Sequence, residues 1–115
     1  MNKHNVIEHL LRLSMVLKLS HFNTKSEIIH KAIDELLNEI NDPLDDLVEI
    51  YQSSLPQLIP FIINECTSVQ DDNLLTLILS SKKYIEENKE GLDIYSINKI
   101  ISRISKFIYK IKFLS

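Results

Sequence analysis

The chain has 115 residues and a net charge of −3, which suits one domain that buries roughly 60% or more of its unfolded surface without staples. Its single cysteine, Cys66, excludes an intramolecular disulfide and fits a reducing cytoplasm. One glycine in the whole chain leaves almost no place for nucleotide-binding loops or nucleophile elbows, which need glycine for positive φ or close backbone approach.

No run alternates as a strand does, and helical spacing recurs nearly everywhere. The polar start Met1 to Asn5 leads directly into an amphipathic segment, unlike a signal peptide. The longest apolar cluster, Leu74 to Leu79, is far short of the roughly 20 residues that cross a bilayer. No membrane span is expected.

A first helix over about His4 to Leu19 places Val6, Leu10, Leu13 and Leu17 on one stripe. Thr24-Lys25-Ser26-Glu27 reads as a capping box for a second helix, with Ile29, Ile33, Leu36, Leu37 and Ile40 on its buried face. Asn41-Asp42-Pro43 predicts its end and the start of a third helix, Asp42 serving as N-cap and Pro43 as first helical residue. Leu44, Leu47, Val48 and Tyr51 line that third helix, which stops before Pro56. Pro56 and Pro60 stand four apart, so one helix cannot hold both comfortably. A turn is expected there, followed by a short helix from about Pro60 to Cys66.

Asp71 or Asp72 caps a fifth helix, with Leu74, Ile78, Ser81 and Ile85 inward. Gly91 ends it in the left-handed region, with Leu92 in the accompanying apolar contact. Asp93 caps the last helix. There Ile94, Ile97, Ile101, Ile104, Ile108 and Ile111 recur as a heptad seam that Ile100, Phe107 and Leu114 widen. The expected architecture is all-α: one domain, 1–115, folded as a compact bundle of five to six helices with a long C-terminal helix as its longest strut. A short irregular α-solenoid is the alternative.

The charge is unevenly placed. Between Ala32 and Ser81 there is no Lys or Arg, and ten carboxylates. Seven of them, Asp34, Glu35, Glu39, Asp42, Asp45, Asp46 and Glu49, fall within sixteen residues. Residues 1–93 carry sixteen carboxylates against eight basic side chains, whereas residues 94–115 carry Lys99, Arg103, Lys106, Lys110 and Lys112 and no acid. The two regions can neutralise each other, within one chain or across a dimer. Alternatively, the acidic corner docks a basic partner, since opposed potentials speed and select association.

Complete sets of chemical groups are missing. Glu27-x-x-His30 has the spacing of di-iron bundles, but no second copy occurs. His4, His9 and His21 form no His-x-x-x-His, and no histidine is near Cys66 in the chain. Asp45-Asp46 and Asp71-Asp72 sit at expected helix starts, where capping and solvation account for them. No catalytic residue, metal, cofactor or small-molecule substrate is expected.

The run Lys25-Ser26-Glu27-Ile28-Ile29-His30-Lys31-Ala32-Ile33 resembles the second-helix signature of ribbon-helix-helix DNA-binding proteins, in which a basic-Ser-Glu start leads into an Ile/Ala-spaced helix. The similarity extends over 25–37 of the second helix, with Val6 to Leu19 preceding it. It implies a small dimeric regulator that binds nucleic acid, its base-reading ribbon lying before the first helix. The Ile seam would then join the dimer, and the basic last helix could meet phosphates.

The acidic corner supports a different class. An acidic surface repels nucleic acid but can imitate it towards a nucleic-acid-binding protein. The expectation is therefore a non-catalytic, cytoplasmic protein-binding module, of the immunity or antitoxin type, that neutralises a basic toxin such as a nuclease. Asp34, Glu35, Glu39, Asp42, Asp45, Asp46 and Glu49 would make the contact, with Tyr51 as an aromatic anchor.

Overall fold

The computed structural model describes residues 2–114. Among them are four helices and no strand: α1 (Asn2–Asn23), α2 (Glu27–Ser53), α3 (Asp71–Asn88) and α4 (Ile94–Phe113). The fold is all-α, as the periodicity predicts, but with four helices rather than five or six.

The difference has two sources. The expected break at Asn41-Asp42-Pro43 does not occur, and α2 continues through Pro43. A proline inside a helix removes one hydrogen bond and crowds the carbonyl four residues back. Here the apolar stripe continues in phase across it: Leu36, Ile40, Pro43, Leu44, Leu47 and Tyr51 are all buried on one face. Continuous packing outweighs the local stop signal. The second source is the segment 54–70, where the expected helix from Pro60 to Cys66 is an irregular strap. α2, with 27 residues, is also longer than α4 with 20.

The helix ends follow local chemistry. Ser26, not Thr24, caps α2, its hydroxyl accepting from the Ile29 N–H at 3.2 Å. The Thr24 hydroxyl instead donates to Asp71 at 2.9 Å, joining the end of α1 to the start of α3. Gln70 is the N-cap of α3, with Asp71 and Asp72 in the first turn, where acids suit the helix dipole. Gly91 has φ of 86°, and a Cβ there would meet Lys3 Cε at 2.6 Å. Leu92 beside it is buried. Asp93 caps α4 by accepting from the Ser96 N–H at 3.0 Å.

The helices neighbour one another in the cyclic order α1, α2, α4, α3. His4 at the start of α1 meets Tyr51 at the end of α2, and Lys110 near the end of α4 meets Glu35 near the start of α2. Every neighbouring pair is therefore antiparallel, while α2 and α3 run the same way and need a crossover between them. The strap is that crossover. One apolar core unites all four helices, with Ile7, Leu17, Ile33, Leu47, Ile78, Ile97 and Phe107 among its members. A stacked solenoid would not share one core in this way.

On α4 the buried apolar residues are Ile97, Ile100, Ile104, Phe107 and Ile111. That is a heptad seam displaced from the expected one: Ile101 and Ile108 are only partly buried and Ile94 is 62% exposed. The seam packs inside the monomer, so it does not lie free to join a dimer.

Candidate functional site

The outer face of α2 carries the acids. Glu35, Glu39, Asp42, Asp46 and Glu49 follow each other at spacings of four, three, four and three, which keeps them on one helix stripe. Asp45 and Asp34 lie on its flank. The stripe is opposite the buried row of Ile40, Leu44, Leu47 and Tyr51, so packing the apolar row necessarily turns the carboxylates outward.

Antiparallel packing against α4 divides this stripe in two. It sets the basic C-terminal part of α4 beside the N-terminal part of α2. Lys110 Nζ donates to the Glu35 carboxylate. Arg103 Nη1 and Lys106 Nζ approach Glu39 Oε2 at 3.6 and 3.5 Å. The hydrogen bond and charge of Lys110 hold the Glu35 carboxyl below its usual range. Asp34 Oδ1 lies 3.7 Å from His21 Nε2. For Glu35 and Glu39, mutual neutralisation within one chain describes the geometry.

The C-terminal part of the stripe stays open. Asp42, Asp45, Asp46 and Glu49 are exposed and make no ion pair among the described residues. They lie within eight residues of helix, about 10 Å of axis from first to last, with a mean separation of about 3.5 Å. Tyr51, expected beside them as an anchor, is only 8% exposed. It belongs to the core because it falls on the buried row, four residues after Leu47 and eleven after Ile40. Of the five bases on α4, three face α2 acids, and Lys99 and Lys112 remain exposed.

A groove of about 640 Å³ runs beside the open acids, between α1, α2 and one residue of the strap. Its floor and walls are mainly Leu11, Met15, Leu37, Leu44 and Ile63, with Asp45 on the α2 rim and Lys18 on the α1 rim. The residue pattern carries a signal for it. Leu11 and Met15 form a second apolar row on α1, four apart and offset from the core row, which the search for one buried face passes over.

The strap is held by a series of polar side chains along α1, also unseen in the sequence. His4 Nε2 meets the Pro60 carbonyl at 3.2 Å, and Nδ1 meets the Tyr51 hydroxyl at 2.8 Å. A carbonyl only accepts, so Nε2 carries a proton, and in the neutral ring Nδ1 accepts from Tyr51. The Phe61 ring stacks on the His4 ring, centroids 4.9 Å apart. Further along, Glu8 accepts from the Ile62 N–H at 2.6 Å and Arg12 donates to the Glu65 carbonyl at 3.0 Å. Ser20 accepts from the Val69 N–H at 2.9 Å. Positions 4, 8 and 12 are four apart and form one row on α1, whereas Ser20 stands well round the helix from His4, so the strap crosses α1 obliquely.

The remaining candidates have ordinary surroundings. Glu27 and His30 are exposed, and His30 Nδ1 donates to the His21 carbonyl at 3.1 Å. The Cys66 thiol donates to the Asn64 carbonyl at 3.3 Å. Burial and the nearby Arg12 charge lower the His9 pKa from 6.5. Among the described residues no group of three His, Cys, Asp or Glu is placed to hold a metal ion. No helix among them is long and apolar enough to cross a membrane. The strand that the ribbon-helix-helix resemblance implies ahead of α1 is absent among them, α1 already beginning at Asn2.

No curated protein and no solved structure matches this chain. One family model does match, over residues 21–114, which takes in α2, the strap, α3 and α4. The chain belongs to that family, DUF5856, a family of unknown function.

Proposed function

We propose that this protein is a non-catalytic, cytoplasmic binding module whose open acidic half-stripe docks a basic protein. The observation that carries this reading is the contrast within α2. Glu35 and Glu39 have bases from α4, whereas Asp42, Asp45, Asp46 and Glu49 stand exposed without one. Like charges at this spacing repel one another along a helix, costing a few tenths of a kcal/mol per pair. A basic partner would relieve that repulsion on binding.

The partner we favour is a toxin domain that handles nucleic acid, such as a nuclease, with this chain as its immunity or antitoxin-type inhibitor. The average charge density supports it: four carboxylates at a mean axial separation of about 3.5 Å come close to the roughly 3.4 Å per phosphate along one DNA strand. A rigid helix with that spacing offers a nuclease the charge density of its substrate and no bond to cleave. The regulator reading would rely on α4, but Arg103, Lys106 and Lys110 already face α2 carboxylates.

The test is a salt titration of the isolated complex with its basic partner, using wild type and the variant Lys99→Glu. Binding through the acidic half-stripe weakens steeply with salt and is unaffected by Lys99→Glu. Binding that is lost in Lys99→Glu and replaced by affinity of the wild type for DNA at low ionic strength would overturn the proposal.

A further inference from the structure

We infer that the groove between α1 and α2 receives an amphipathic helix of the partner, whose basic flank lies against the open acids of α2. This rests on the acidic-docking reading and adds to it the kind of segment that binds and its orientation.

Three observations lead there. The groove is mainly apolar, with Leu11 and Met15 on one wall and Leu37 and Leu44 on the other, and Asn38 and Asn41 interrupt the α2 wall. Met15 is 49% exposed although it faces this row, and a flexible thioether adapts to an incoming side chain. Second, the rims differ in charge. Asp45 borders the α2 side, next to Asp42 and Glu49 on the neighbouring stripe, while Lys18 borders the α1 side. A guest with bases on both flanks would meet repulsion at Lys18. A guest with bases on one flank has a single favoured orientation.

Third, the dimensions suit a helix. The groove follows α2 from Leu37 to Asp45, about 12 Å of axis. Anchors at i, i+4 and i+7 on a guest helix extend over about 10 Å. An extended peptide gains affinity chiefly by pairing with a free strand edge, and the described residues contain no strand. Apolar anchors in the groove and charges on its rim give the buried centre and polar periphery of a specific interface.

Two peptides of equal length and charge test this with the full chain. One is a helical Leu/Lys peptide with its lysines on one flank, and the other is oligolysine. The amphipathic peptide should bind at least about tenfold more tightly than oligolysine, and Met15→Asp should remove that difference. In wild type, amide shifts on adding it should centre on Leu11, Met15, Leu37 and Leu44. Oligolysine should shift only the stripe from Asp42 to Glu49. Equal affinity for the two peptides, or shifts that miss the groove residues, would overturn the groove inference and leave the acidic reading standing. If Asp45→Lys changes the binding of neither peptide, the acidic reading itself is overturned. The wild-type shift map decides the question even if Met15→Asp fails to fold.

Discussion

Arg103 Nη1 of α4 lies 3.6 Å from Glu39 Oε2 of α2, and Lys106 reaches the same oxygen at 3.5 Å. Two bases on one carboxylate oxygen mark where the acidic run of α2 stops being internal and starts being free. Stability and binding should therefore separate along a single helix. Glu39→Gln should lower unfolding free energy by up to about 1 kcal/mol, the range of partly exposed ion pairs. Asp46→Lys should raise it by a few tenths of a kcal/mol by breaking a row of like charges. Urea denaturation of both variants checks the sign, and a loss of stability in Asp46→Lys would be the wrong one.

The pH dependence has two parts. Glu35 has its pKa held below the usual 4.5 by the hydrogen bond and charge of Lys110. A depressed carboxyl pKa contributes stability above the unfolded value, and that contribution is lost as pH falls from about 4.5 through the folded value. His9 is lowered from 6.5 by burial, with Arg12 adding to it. A base with a lowered pKa contributes fully above 6.5 and loses that contribution as pH falls below 6.5 through the folded value. His9→Gln should flatten the stability profile just below 6.5, and Glu35→Gln the profile below 4.5. Each is read from denaturation midpoints across pH.

The His4–Tyr51 contact should hold more than its share. Tyr51→Phe removes the hydroxyl that donates to His4 Nδ1 and leaves a buried acceptor unsatisfied, which costs about 1–3 kcal/mol. The series of polar side chains along α1 adds a second site. Ser20→Ala leaves the Val69 N–H without its acceptor. In that variant the strap should become the first place a protease cuts, with cleavage products separating near residues 60–70 on a gel.

Pro43 offers a test in the other direction. It lies within α2 and is buried there. Pro43→Ala restores a backbone donor and relieves crowding at the Glu39 carbonyl. The smaller unfolded-state entropy of proline opposes the gain by about 0.4–1 kcal/mol. Against an interior proline cost of about 3 kcal/mol, the net expectation is a stabilisation of about 2 kcal/mol, measured by urea denaturation.

Much of the fold could be read from local signals. Gly91 at positive φ, Asp93 as a cap and the end of α2 before Pro56 all rest on chemistry within a few residues. Asp42-Pro43 misled for the same reason: locally it is a helix start, and only the continuous packing of Ile40, Leu44 and Leu47 overrides it. The strap has enough apolar residues to suggest a helix. Its hydrogen bonds go to α1 side chains about fifty residues earlier, such as His4 to Pro60 and Ser20 to Val69, and no local pattern encodes that. The acidic cluster was visible as composition. Its division into an internal half and an open half depends on the antiparallel placement of α4, which brings Lys110 to Glu35.

The central claim concerns the open half. The most direct measurement is affinity capture of the partner from the native cell, its identification, and calorimetry of the purified pair at low salt. Wild type and the double variant Asp45→Lys/Asp46→Lys should have the same helical circular dichroism. The captured protein should be basic, and its Kd should rise at least about a hundredfold in the double variant, or nearly 3 kcal/mol. An unchanged Kd at low salt, with the variant folded, would contradict the account.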